Sequence, residues 1–231
     1  MNTLKHYWLI ILLFPFSLSA QSNVEAGIFL GIANYQGDLS PSPIAASETK
    51  PALGGLYRYM FTSKFAMKGS VTWGMISGRD KNIPNFDLAE RNWSMRSNIF
   101  ELAVHGEWHP FGALRYNNTG LFDRQYSPFI SIGIGGAFTD PKLVVPAEDR
   151  FKIPEPNATS TFLVLPVSAG LRLDLTEDFL LGLDFGTRIT FSDYLDGVSL
   201  NGNNQKNDWY FFAGISILYV IEEKVGGKAN W

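Results

Sequence analysis

The 231-residue chain contains no cysteine. That excludes a disulfide framework, thiolate metal sites and a catalytic thiol, and with them the lipid-modified cysteine of a bacterial lipoprotein anchor. Net charge is also scarce: 19 Lys and Arg against 22 Asp and Glu leave −3, so a nucleic-acid partner has no electrostatic support. Beyond the first twenty residues no uninterrupted apolar run approaches the ~20 residues of a spanning helix. What is plentiful is glycine, with 22 residues, and aromatic side chains, at 14% of the chain. That pairing suits a tightly curved sheet with rings at an interface better than it suits a helical protein.

The N-terminus reads as an export signal. Lys5 supplies a positive charge, "YWLIILLFPF" an apolar run of signal-peptide length, and "SLSAQ" the small residues before a cleavage site after Ala20. Residues 1–20 are therefore expected to be a signal peptide and 21–231 a single domain.

Eight segments of that domain have strand character. In "FAMKGSVTWGMIS", Phe65, Met67, Val71, Trp73 and Met75 share one face, with Lys68, Ser70, Thr72 and Gly74 opposite. "FLVLPVSAGLRLDL" sets Leu163, Leu165, Val167, Ala169, Leu171 and Leu173 against Ser168, Gly170, Arg172 and Asp174. "FLLGLDFGTRITF" sets Phe179, Leu181, Leu183, Phe185 and Ile189 against Gly182, Asp184, Gly186 and Arg188. In "DWYFFAGISILYV" the apolar side is Trp209, Phe211, Ala213, Ile215, Ile217 and Tyr219. The other strands are "NVEAGIFLGIANYQ", "ALGGLYRYMF", "NIFELAVHGEWHPF" and "YSPFISIGIGGAF"; the glycines of "GIGGAF" lie in a strand and no helix follows to make a phosphate loop. The connections "TSK" and "TED" are tight turns. Those after the first, third, fifth and seventh strands are long and polar, and the third of them is expected over Thr139 to Ser160.

Strands of ~10 residues that alternate apolar and polar, joined by long and short connections in turn, are the pattern of an outer-membrane barrel. The fold expected is all-β: an eight-stranded antiparallel up-and-down transmembrane β-barrel of OmpA/OmpX-like architecture, in the bacterial outer membrane and in contact with lipid. At this strand number the lumen is filled by side chains, and Gly69, Gly74, Gly170, Gly182 and Gly186 are expected to relieve crowding. Trp73, Trp93, Trp108, Tyr194, Trp209 and Tyr219 suit interfacial girdles.

Alternation turns Arg58, Lys68, Glu101, His105, Glu107, Arg172, Asp184 and Arg188 into the lumen. Buried charges of both signs must pair or cost several kcal/mol each, so the set reads as a structural ion-pair plug. His105 with Glu101 or Glu107 offers too few ligands for a metal, and no metal, cofactor or small-molecule substrate is expected. His109, before Pro110, reads as a strand-terminus residue. With no Ser–His–acid set evident near the outer loops, no catalytic residue is assigned. Two other readings compete: a barrel enzyme modifying lipid A-type lipids, and a soluble exported lipocalin-like ligand binder, which would need apolar residues inside and polar residues outside.

The fourth-to-fifth connection, Gly112 to Gln125, is longer than a turn requires and falls on the periplasmic side with the two short turns and the tail Glu222 to Trp231. It carries Leu114, Arg115, Tyr116, Leu121, Phe122 and Arg124, read as exposed. These residue types favour protein contacts.

Several stretches resemble the PorG-like outer-membrane barrels of the type IX secretion system: "EAGIFLGIANYQGDLS", "GLYRYMFTSKFAMKGSVTWGMISGRD", "RNWSMRSNIFELAVHGEW" and "GTRITFSDYLDGVS", in family order along almost the whole mature chain. The resemblance implies a small structural and interaction subunit, not an enzyme, that associates with a periplasmic ring of the lipoprotein PorK and its partner PorN.

Overall fold

The computed structural model describes residues 23–36, 46–80, 92–117, 119–152, 159–190 and 209–223. The signal-peptide assignment, Tyr194 and most of the tail fall outside them. Eight strands account for most of what is described: β1 (Asn23–Gln36), β2 (Lys50–Met60), β3 (Phe65–Arg79), β4 (Ser94–Trp108), β5 (Tyr126–Val144), β6 (Ser160–Asp174), β7 (Phe179–Thr190) and β8 (Trp209–Glu223). Each pairs antiparallel with its sequence neighbours, and β8 returns to β1 from Asn23↔Glu223 to Gln36↔Trp209, so the sheet is a closed barrel. Closure leaves no strand with an unpaired edge, the condition for crossing a medium without hydrogen-bonding solvent.

The faces fall as the alternation predicts. Ile28, Leu30, Leu53, Met67, Leu102, Val104, Ile130, Ile132, Leu163, Phe185 and Ile217 all point outward and are exposed. This is the reverse of a lipocalin. An outward belt of this breadth would be an aggregation surface in water and is what hydrocarbon accommodates. Trp108, Trp209 and Tyr219 stand exposed and Trp73 half-buried, in keeping with a girdle. Trp93 does not: it is buried, its indole N–H donating to Asp149 Oδ2 at 2.9 Å.

The two tight turns are built alike. Thr62 Oγ1 accepts from the amides of Lys64 (3.2 Å) and Phe65 (3.0 Å), and Thr176 Oγ1 accepts from those of Asp178 (3.3 Å) and Phe179 (3.0 Å). In both, a threonine hydroxyl satisfies the amides that the reversal leaves unpaired.

Two further sequence expectations are corrected. The outer connection expected from Thr139 begins later, because β5 runs on to Val144 through Pro141 and pairs with β4 from Ile99↔Thr139 to Ser94↔Val144. The extended β4 end supplies the ladder, so the strand survives the proline. Gly69 is the second: it faces outward with open space where a Cβ would sit, so it relieves no crowding. Gly170 does, since a Cβ there would stand 2.5 Å from the Phe129 ring and 2.2 Å from the Leu183 carbonyl.

Candidate functional site

The interior has two layers. Toward the outer end it is apolar, with Ile76, Trp93, Met95, Ile99, Leu143, Phe162 and Val164 packed in one cluster. Toward the end that carries the two short turns, which is the periplasmic end in barrels of this class, it is charged. All eight residues assigned to the lumen point inward, and all but the half-buried Asp184 are buried.

The charged layer is a connected network. Glu25 accepts from Arg58 Nη1 (3.0 Å) and Arg172 Nη2 (2.8 Å). Arg58 Nε donates to Glu107 Oε2 at 2.7 Å, and Lys68 Nζ bridges Glu107 (3.0 Å) and Asp184 (3.1 Å). At the other edge, Asp174 lies 3.2 Å from Arg172 and 3.3 Å from Arg115. Arg188 and Glu101 form a separate pair at 3.3 Å, joined by the Tyr210 hydroxyl, which donates to Glu101 at 2.5 Å. The Arg188 guanidinium also covers the Phe212 ring, 4.6 Å from its centroid. The five cations Arg58, Lys68, Arg115, Arg172 and Arg188 are thus matched by the five anions Glu25, Glu101, Glu107, Asp174 and Asp184. Balanced pairing is what a low-dielectric interior demands. It leaves no surplus charge to select an ion, and it obstructs the axis.

His105 contacts Ser70 Oγ at 3.1 Å and borders a mid-lumen cavity of about 30 Å³ with Lys68, Asp184 and Arg188. That is room for about two water molecules. Among the described residues no three His, Cys, Asp or Glu side chains converge as a metal site.

His109 directly follows β4, as its strand-terminus reading has it, and it is engaged there. It is fully buried, with Nδ1 2.8 Å from Ser127 Oγ and Nε2 3.7 Å from Glu107. Because the Ser127 hydroxyl donates its one proton to the Gly112 carbonyl (2.8 Å), Nδ1 must be the donor to Ser127. Serine, histidine and glutamate therefore do meet, but at the periplasmic end and away from the outer loops, where the sequence shows no such set. The serine proton is committed to a backbone carbonyl, and all three residues are shut away from solvent. The set pins a loop and is not poised to attack a substrate.

That loop is the β4–β5 connection, and it folds across the barrel mouth as a small hairpin. Tyr116 bridges Phe122, Asp123 N donates to Arg115 O (2.8 Å), and Asn117 N donates to Leu121 O (3.0 Å). Gly112 and Gly120 take positive φ of 80° and 76°, which favours glycine. The hairpin is tied to both short turns: Ala113 N donates to Ser63 O (2.7 Å), and Arg115 Nη2 donates to the carbonyls of Thr176 (3.0 Å) and Glu177. Arg115 is therefore buried, not exposed as the sequence suggested; Asp174 and the turn carbonyls draw its guanidinium inward. Tyr116 and Phe122 pack edge to face and are half-buried, whereas Leu114, Leu121 and Arg124 are exposed.

Several network members lay outside the sequence assignment: Glu25, Asp174, Arg115, His109, Ser127 and Tyr210. Period-two counting already sets Asp174 on the polar face with Arg172, and the same counting on β1 finds Glu25. Tyr210 hides among aromatics, and the hairpin residues follow no strand period.

A closed eight-stranded antiparallel barrel with an outward apolar belt and a plugged, charge-balanced lumen defines the class: this is an outer-membrane-type β-barrel. Within that class the chain belongs to the family described as Domain of unknown function (DUF6089), whose model matches residues 4–226. A search of curated proteins found no match. Solved structures similar to it include Ail, the attachment invasion locus protein of Yersinia pestis (10% identity, 87% of this chain and 99% of that chain, TM-score 0.49). Two others are the N-terminal barrel domain of Pseudomonas aeruginosa OprF (12%, 87% and 98%, 0.46) and Neisserial surface protein A (10%, 86% and 96%, 0.47).

Proposed function

We propose that the protein is a non-enzymatic structural subunit of the bacterial outer membrane whose periplasmic cap holds partner proteins. The partner implied by the PorG-like resemblance is the PorK/PorN-like lipoprotein ring of the type IX secretion machine. The observation that carries this reading is the capping hairpin. A barrel needs only a turn here, yet this chain builds a hairpin, anchors it through Arg115, Ala113 and Ser127, and leaves Leu114 and Leu121 in solvent. Ordering a loop costs about 1–2 kcal/mol per residue in backbone entropy, and a rigid loop with apolar tips binds without meeting that cost again. The lumen is filled and balanced, which suits an anchor and gives no conduit for cargo.

Changing Leu114 and Leu121 together to aspartate tests the reading without touching the hairpin's anchors. The barrel should insert as before, while ring proteins co-purify less and secretion falls. Undiminished co-purification would remove the hairpin from the interface.

A further inference from the structure

At the outer end, β3, β4 and β5 extend past the apolar belt, and their outward faces change character in order. On β4 and β5 the outward pairs are Phe100↔Phe138, then Asn98↔Asp140, then Arg96↔Lys142. Phe100 and Phe138 are the last apolar pair, and Arg96 and Lys142 are both exposed. On β3, Arg79 is exposed two residues beyond Ser77, the residue opposite Arg96, and is itself opposite Ser94. Three cations on three adjacent strands thus form a row above the belt.

The row is unexplained by the barrel itself. Like charges directly opposite on neighbouring strands are destabilising, yet Arg96 and Lys142 face each other. Neither has an ion-pair partner among the described residues. Among the described residues, Asp140 and Glu48 are the acids on this part of the outward face. Asp140 shares the outward face with Lys142 but pairs with neither cation, and the buried Glu48 is bound by the Ser77 hydroxyl. The four-residue rise from Phe138 to Lys142 is ~13 Å along the strand, and strand tilt of ~40° reduces it to ~10 Å of height. That is headgroup depth just outside the hydrocarbon.

From this we infer that Arg79, Arg96 and Lys142 bind the phosphate groups of an outer-leaflet glycolipid. A phosphate between Arg96 and Lys142 turns a repulsive pair into two charge-assisted contacts, with the planar guanidinium suited to gripping two oxygens at once. The acyl chains of the same molecule would lie along Phe100, Leu102 and Phe138 below. The long connections place this end on the cell-surface side, and the assignment is independent of whether the hairpin holds a ring.

The test uses the full mature chain purified in neutral detergent. Bis-phosphorylated lipid A, its dephosphorylated form and inorganic phosphate are each titrated and retention is read by native mass spectrometry. The expected result is at least tenfold tighter retention of the phosphorylated lipid, with R96Q/K142Q losing that preference while keeping its unheated gel mobility. Equal retention of the two lipids, a preference surviving in R96Q/K142Q, or displacement of the lipid by equimolar inorganic phosphate would overturn the assignment. Should R96Q/K142Q fail to insert, D140N gives the converse reading: removing the neighbouring anion should tighten retention of the phosphorylated lipid, and unchanged retention would overturn it.

Discussion

Arg115 of the β4–β5 hairpin and Asp174 at the end of β6 lie 3.3 Å apart across the barrel's periplasmic mouth, both buried, and Asp174 is shared with Arg172. One ion pair thus fastens the cap to the wall and joins it to the network that fills the lumen.

Replacing Arg115 by methionine should release the cap without opening the barrel. Asp174 keeps Arg172, so the cost should fall near the lower end of the ~3–5 kcal/mol typical of breaking a buried pair. Trypsin cleavage after Arg124 should accelerate while the compact gel species persists before heating. Cleavage at the wild-type rate would mean that the hairpin is held without the arginine.

Within the network, arginines should differ by the number of carboxylates they serve. Arg172 bridges Glu25 and Asp174, whereas Arg188 serves Glu101, which Tyr210 also holds. R172M should therefore lower the temperature at which the compact form is lost by more than R188M does. The opposite order would show that the Glu101 pair is the dominant restraint.

Among the described residues the hydrogen-bond partner of the His105 ring is Ser70, beside a small cavity. H105Q should leave assembly and secretion close to wild type. If activity vanished while thermal stability stayed unchanged, an acid–base role for this histidine would have to replace the structural one.

Glycine position decides tolerance. G170A pushes a methyl group into the Phe129 ring and the Leu183 carbonyl and should impair assembly, whereas G69A adds it to open space on the outer face. A cost for G170A in the range of overpacked cores, ~1–3 kcal/mol, is expected. Matched stabilities of the two variants in a urea titration would contradict this packing.

How much of this was readable in the sequence follows the physics of each layer. Strands whose outer face meets lipid and whose inner face is charged alternate strictly, and Arg58, Lys68, Glu101, His105, Glu107, Arg172, Asp184 and Arg188 were found by counting alone. The signal fades where both faces are apolar, as at Ile99 and Phe100 or Phe162 and Leu163, so the apolar layer of the lumen was not anticipated. It is absent in the hairpin, where a buried arginine and an exposed leucine stand side by side at 114 and 115 and no period says which is which. The burial of Arg115 is decided by Asp174 and the β6–β7 turn, partners about sixty residues away.

The seam between β1 and β8 bears on how the molecule is made. Asn23 pairs with Glu223 and Gln36 with Trp209, so the contacts that complete the ring join residues 173 to 200 positions apart. Such pairings form late, because distant segments must meet before their hydrogen bonds repay the lost freedom. Until β8 arrives, β1 and β7 each present a row of unsatisfied amides and carbonyls beside apolar side chains, a template for pairing with another copy. A chain lacking β8 should therefore clump where the complete one inserts.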